Sequence, residues 1–90
     1  MDSLDNLRRL LICRNAYWKI AGEQMELGKP WEPDWDNNDV VKYTICCVAN
    51  NVRRLQARQY NYILAFPIEE MCDAFYENFK ELIEQCKELL

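Results

Sequence analysis

The stretch VVKYTICCVANNVRRLQAR, residues 40–58, decides the fold of this chain. Its first half is rich in β-branched and aromatic side chains, which favour a strand. Asn50 and Asn51 follow, and asparagine tolerates the left-handed backbone that a tight turn requires. The second half alternates polar and apolar residues, so the stretch predicts a β-hairpin that turns at Asn50 and Asn51.

The same alternation predicts which side chains share a face of this hairpin. One face of the first strand is expected to carry Val41, Tyr43, Ile45 and Cys47. In the second strand we expect Leu55 and Ala57 to point inward, and Arg54 and Arg58 outward.

Two alternatives remain open for the rest of the sheet. Residues 52–59 also contain good helix formers, and Asn51 could cap a short helix there. The segment YILAF, residues 62–66, ends at Pro67 and has the composition of a third strand. We therefore expect an antiparallel sheet of two or three strands, with a three-stranded meander favoured.

A helix is predicted on the N-terminal side, over residues 3–27. Its apolar residues recur at a three–four spacing, at Leu4, Leu7, Leu11, Trp18, Ala21 and Met25. Arg14 interrupts this stripe, and Leu10, Cys13, Tyr17 and Ile20 widen it on one flank. Gly28 and Pro30 are typical of residues that follow a helix end.

A second helix is predicted after Pro67, which suits a first helical turn. Its apolar stripe keeps a strict three–four repeat through Cys72, Phe75, Phe79, Leu82, Cys86 and Leu89. Together these elements predict an α+β fold in one domain, residues 1–90. Two helices would pack on one face of the small antiparallel sheet, in the order α-β-β-(β)-α.

Composition restricts the partners and the compartment. The net charge of −4 argues against nucleic acid and anionic membranes as partners. No segment approaches the roughly 18 apolar residues of a membrane span. The N-terminus begins with acid and is broken by arginines, which is not typical of a signal peptide. We therefore expect a cytoplasmic protein without a membrane partner, whose five cysteines serve as small buried hydrophobic residues.

The segment KPWEPDWDNND, residues 29–39, is unusually rich in tryptophan, proline and carboxylates. Asp34, Asp36 and Asn38 match the first positions of a calcium-binding loop. That loop also needs glycine at its sixth position and glutamate at its twelfth, where this chain has Asp39 and Ile45. The segment is therefore not predicted to bind calcium, and two other roles remain. Prolines and turn residues favour a structural connector whose tryptophans close the core. A binding groove built on Trp31 and Trp35 is the alternative.

Catalysis has few suitable residues. The chain has no histidine, Ser3 is its only serine, and two glycines cannot form a phosphate loop. Cys72 stands near a predicted helix start, which could lower its pKa, but its place in the apolar stripe favours packing. We expect no enzymatic activity, no cofactor and no bound metal.

Binding of another protein, or of a second copy, is the function that the residue types favour. Aromatic residues and arginine dominate interface energetics. The predicted partner-binding residues are Trp31, Trp35, Arg54, Arg58 and Tyr60. The predicted self-association residues are Phe75, Phe79, Leu82 and Leu89, which would form a homo-oligomer. The alternative is a binder of a small anionic ligand, such as a nucleotide, held by Arg53, Arg54 and Arg58.

The segments PWEPDWDNNDVVKY and ILAFPIEEMCDAFYENFKELIEQCKELL resemble a widespread group of small proteins from phages and prophages of gut bacteria. The resemblance covers residues 7–90, and its specific parts are W-x-P-D-W and the Phe-Pro turn into the last helix. Ile68 and Cys72 depart from the group, where threonine and arginine are common. The resemblance implies a module that acts in a bacterial host cytosol, and it transfers no catalytic residues.

Overall fold

The computed structural model describes residues 2–90 and has an α+β architecture. Three strands lie between one N-terminal helix and a broken C-terminal helix. The elements are α1 (Ser3–Gln24), β1 (Lys42–Val48), β2 (Asn51–Ala57), β3 (Leu64–Phe66), α2 (Glu69–Asn78), α3 (Lys80–Gln85) and a 3₁₀ turn (Lys87–Leu89). The predicted fold class is therefore confirmed, and within the ambiguous segment 52–59 residues 52–57 form a strand rather than a helix.

The sheet is antiparallel and has the strand order β2-β1-β3. A meander would place the third strand beside the second, whereas β3 pairs with β1. The prediction of a meander was wrong in this respect. As a result β1 is central and buried, and the sheet has two outer edges, one on β2 and one on β3.

The hairpin turns at Ala49 and Asn50, one residue earlier than predicted. Both residues have a positive φ, of 51° and 66°, as the favoured two-residue hairpin turns require. A two-residue turn pairs odd-numbered residues of β1 with even-numbered residues of β2. Ile45 accordingly lies opposite Arg54, and Thr44 opposite Leu55.

This pairing reverses the predicted faces of β2. Ile45 belongs to the core beneath the helices, so Arg54 shares the helix-covered face and Leu55 lies on the opposite one. The expectation that Leu55 and Ala57 point inward was wrong, because a shift of one residue moves every side chain to the other face.

The main core lies between the helices and the sheet. It is built from Leu10, Ile45, Leu64, Phe66, Cys72, Phe75, Ile83 and Cys86. The Tyr17 ring packs edge-on against Phe75, with ring centroids 5.1 Å apart. The buried side of α1 is thus the flank that carries Leu10 and Tyr17, whereas Leu4 and Met25 of the predicted stripe are exposed.

The C-terminal helix is interrupted where the sequence predicted continuity. The backbone leaves the helical region at Phe79 and Cys86, where φ is −125° and −130°. These breaks bend the chain around the small core, so that Cys72, Phe75, Ile83 and Cys86 are all buried in it. A straight helix of this length would extend beyond the sheet.

Helix α1 covers the outer edge of β3. The Arg14 guanidinium donates to the carbonyl of Ile63 at 3.0 Å, and the Trp18 indole N–H donates to the carbonyl of Ala65 at 2.8 Å. The Arg14 guanidinium also stacks over the Trp18 ring at 4.0 Å. Burial lowers the pKa of Arg14, an effect that the Glu32 carboxylate opposes. Arg14 interrupts the apolar stripe because it bonds to the edge of the sheet.

The connector after α1 packs tightly against the helix. The backbone N–H of Trp31 donates to the backbone carbonyl of Trp18 at 2.9 Å. Trp31 also packs with Ala21 and Ala65, on the side of the sheet away from the main core. Gly22 permits this close approach, because a Cβ there would overlap the Lys29 carbonyl and lie 2.9 Å from the Cα of Pro30.

We expect Gly22→Ala to lower the free energy of unfolding by about 1–3 kcal/mol, because the added methyl group displaces the connector backbone. Helix propensity alone would favour alanine by about 1 kcal/mol. Urea unfolding followed by tryptophan fluorescence measures the difference. Glu23→Ala, at the exposed neighbouring position, should change stability little. A Gly22→Ala protein as stable as the original chain would contradict the close approach.

We expect Ala49→Gly to raise the free energy of unfolding by about 1 kcal/mol, because glycine adopts a positive φ without steric cost. Ala74→Gly in the exposed face of α2 is the matched control, and it should lower stability by about 1 kcal/mol. Thermal or urea unfolding of both variants tests the opposite signs. Destabilisation by both would contradict the left-handed turn.

Candidate interaction surface

The two tryptophans predicted to bind a partner have different environments. Trp31 is only 9% exposed and packs with Ala21 and Ala65, so the expectation of an exposed Trp31 was wrong. Trp35 is half-buried, 6.1 Å from Tyr62 between ring centroids and 5.1 Å from the Lys42 ammonium. Of the two connector tryptophans, Trp31 is the buried one that packs on Ala65.

Two cations hold the end of the connector against the end of β2. Lys42 is 1% exposed, and its ammonium donates to the carbonyls of Asn37 at 2.7 Å and Arg58 at 3.3 Å. The Arg58 guanidinium donates to the carbonyls of Asn38 and Asp39, at 3.3 and 2.9 Å. Three successive carbonyls of the connector therefore accept from cations, and Arg58 has a structural role.

Arg54 joins β2 to α2. Its guanidinium lies 2.9 Å from the Asp73 carboxylate and 4.8 Å from the centre of the Tyr76 ring. Both charged side chains are 46% exposed, so the ion pair contributes about 0.2–1 kcal/mol. Its main consequence is geometric, since it fixes the middle of β2 against α2.

The three arginines considered for a small anion do not converge. Arg53 and Arg54 are adjacent in a strand and lie on opposite faces. Arg58 follows the end of β2 and bonds to the connector. One protomer therefore offers no pocket in which these three guanidinium groups meet.

The residues predicted for self-association are divided between core and surface. Phe75 is fully buried in its own core, which corrects the expectation that it contacts a second copy. Phe79 and Leu82 are half-buried against the same core, and Leu89 is exposed. The helix break at Phe79 also removes the continuous stripe that a coiled coil would need.

Tyr60 is the most exposed large hydrophobic side chain in residues 2–90, at 75%. Its backbone has φ of +75°, a conformation that costs a bulky L-residue about 1–3 kcal/mol. Its ring lies 6.4 Å from Tyr62, in an edge-on arrangement. With Arg58, Gln56 and Tyr62 it lines an open groove of about 430 Å³ at the end of β2.

The outer edge of β2 is open. The Thr44 hydroxyl donates to the Leu55 carbonyl at 2.9 Å, so this carbonyl faces β1. Backbone groups of successive strand residues alternate sides, and those of Val52, Arg54 and Gln56 therefore point away from the sheet. No backbone group within residues 2–90 pairs with this side. The predicted meander would have placed β2 between β1 and β3, and the observed strand order leaves it at the edge of the sheet.

Charge is strongly segregated along the chain. Residues 40–68 contain four basic residues, Lys42, Arg53, Arg54 and Arg58, and no acidic one. All fifteen acidic residues lie outside this segment. The sheet is thus locally basic in a chain whose net charge is negative, and β2 carries two of its four cations.

The remaining side chains offer little chemistry. Burial, with a smaller contribution from Asp73, raises the pKa of the Cys72 thiol to about 12, opposite to the lowering that a helix start would produce. Among residues 2–90 no group of three or more His, Cys, Asp or Glu side chains is placed to hold a metal ion. No helix in this part of the chain is long and apolar enough to cross a bilayer.

Comparisons of the chain with protein-family models, with curated proteins and with solved structures found no significant match. The candidate site therefore depends on the geometry of β2 and its surroundings.

We expect Tyr60→Gly to raise the free energy of unfolding by about 1 kcal/mol relative to Tyr60→Ala, because only glycine removes the backbone strain. Tyr60→Ala itself should change stability little, since the ring is mostly exposed. Urea unfolding of the two variants and the original chain tests this. If Tyr60→Ala instead costs the 3–5 kcal/mol or so of a buried aromatic residue, the ring belongs to the core.

Proposed function

We propose that this protein is a non-enzymatic protein-interaction module that binds an extended segment of another protein along the outer edge of β2. The observation that carries the proposal is the asymmetry of the two sheet edges. Side chains of α1 bond to the outer carbonyls of β3, whereas the outer groups of β2 have no partner in residues 2–90. An added strand would satisfy them with main-chain hydrogen bonds.

The contacts that hold β2 support this mode of binding. Arg54 anchors the middle of the strand to α2, and the Lys42–Arg58 contacts anchor its end to the connector. A strand that is already ordered loses little conformational entropy when a second strand is added. Long, open edges also promote aggregation, and proteins usually cover or block them. An open edge held in place by two sets of contacts therefore favours a binding role.

Tyr60 extends the proposed site beyond the end of the strand. The groove that it forms with Arg58 and Tyr62 adjoins Gln56 and Ala57 of β2. A side chain of a bound segment, continuing past the last strand pair, would enter this groove against the tyrosine rings. Tyrosine is enriched among the residues that dominate binding energy. The backbone strain at Tyr60 is consistent with a role in binding.

The biological setting is a proposal that depends on the resemblance of the W-x-P-D-W segment and the C-terminal helix to small proteins of phages and prophages. On that basis the module acts in the bacterial host cytosol, where it occludes or assembles a partner protein. The mechanism requires neither a cofactor nor a metal.

Selection of a displayed library of random linear peptides on the immobilised protein tests the proposal. We expect enriched peptides to bind Gln56→Pro at least tenfold more weakly than Gln56→Ala, which removes the same side chain from the groove and keeps the backbone N–H. Proline removes an N–H that faces the open edge and leaves the pairing with β1 intact. A loss of one to two main-chain hydrogen bonds, of about 1 kcal/mol or more each, gives this order of effect.

Circular dichroism should show that both variants keep the fold. Amide chemical shifts provide a measurement that needs no variant, and they should move at Val52, Arg54, Gln56 and Tyr60 when a peptide binds. Peptides that move only the shifts of the helices, or that bind Gln56→Pro as well as Gln56→Ala, would overturn strand addition at β2.

A further inference from the structure

The side chains that border the open edge specify the chemistry of a bound segment. Arg53, Leu55 and Ala57 form one row along β2, on the face away from the main core. Arg53 is exposed and has no acidic side chain within ion-pair distance in residues 2–90. Leu55 is 38% exposed. A free cation and an exposed apolar side chain therefore stand two positions apart on the same face.

The other cations of the sheet are already engaged. Arg54 is paired with Asp73, Arg58 with connector carbonyls, and Lys42 is buried. Arg53 is thus the one arginine of β2 whose charge lacks a partner within the described residues. A residue directly opposite it in an added strand would have its Cβ about 5 Å away, within reach of a carboxylate side chain.

Since the side chains on one face of a strand are two residues apart, the partner must match the row with the same spacing. We infer that the β2 edge recognises an extended acidic segment in which a Glu or Asp lies two positions from an apolar residue. The carboxylate pairs with Arg53 and the apolar side chain covers Leu55. This inference rests on the proposed function and adds the chemical class of the partner.

A second copy of this chain fits the edge less well. Two β2 strands paired antiparallel with full overlap would place Arg53 opposite Leu55 of the other copy, so the charge of Arg53 would gain no partner. No acidic residue of β2 could neutralise Arg53 in any register, because residues 40–68 contain none. Charge complementarity therefore favours an acidic segment of another protein.

Three synthetic peptides test the inference. Each alternates threonine with the residues that face Arg53 and Leu55, and they differ only in having Glu, Gln or Lys between two valines, two positions from each. The variable residue can then lie opposite Arg53 and a valine opposite Leu55 whether the added strand is parallel or antiparallel. We expect the Glu peptide to bind about two- to fivefold more tightly than the Gln peptide at low salt, and the Lys peptide to bind most weakly. High salt should reduce these differences, because the pair is exposed. Arg53→Glu should reverse the order of the Glu and Lys peptides.

The matched control is Arg53→Gln, which should make the three affinities equal. Equal binding of the three peptides by the original chain, with loss of all binding in Gln56→Pro, would overturn the acidic preference and leave strand addition standing. Binding that is unaffected by Gln56→Pro would overturn both. A dimer that light scattering detects in the original chain and not in Gln56→Pro would show that a second copy occupies the edge, and would also overturn the inference.

Discussion

The contact between α1 and the outer edge of β3 is the constraint on which the rest of the structure depends. Residues four apart on a helix are separated by about 6 Å along its axis, and residues two apart on a strand by about 6.6 Å. Arg14 and Trp18 therefore match the outward carbonyls of Ile63 and Ala65, in the same direction along both elements. A polar and an amphipathic side chain close one edge of the sheet in this way, and β2 is left as the other edge.

Contacts between α1 and the connector also determine how the open edge of β2 is held. The Trp18 carbonyl accepts from the Trp31 N–H, and Gly22 lets the chain pass close enough for that bond. The connector then continues to carbonyls 37–39, which Lys42 and Arg58 bind. Because Arg58 follows β2 directly, the path from α1 ends by fixing the strand whose outer side is free. The path of the chain from α1 through the connector therefore both covers the β3 edge and orders the β2 edge.

Much of the fold could be predicted from local pattern, and the errors have physical causes. The composition of residues 40–48 predicted a strand, and the two asparagines predicted a turn nearby. A two-residue turn pairs odd with even positions, so Ile45 facing the core already required Arg54, and not Leu55, to share its face. The strand order and the breaks at Phe79 and Cys86 depend on distant packing, which no local pattern contains. Of the candidate site, residue type alone predicted Arg54, Arg58 and Tyr60, whereas the predicted meander would have placed β2 between two other strands.

The basic character of β2 has two explanations, and they are compatible. Charged side chains on an edge strand discourage pairing with a second copy, so Arg53 and Arg54 could serve solubility alone. That explanation accounts for the charge, but not for an exposed Leu55 in the same row as Arg53 or for the strained backbone at Tyr60. Specificity needs both attraction to one partner and rejection of others. Under the proposed function, an arginine edge without carboxylates would leave Arg53 unpaired in a second copy and would attract an acidic strand, so the same residues would fulfil both requirements.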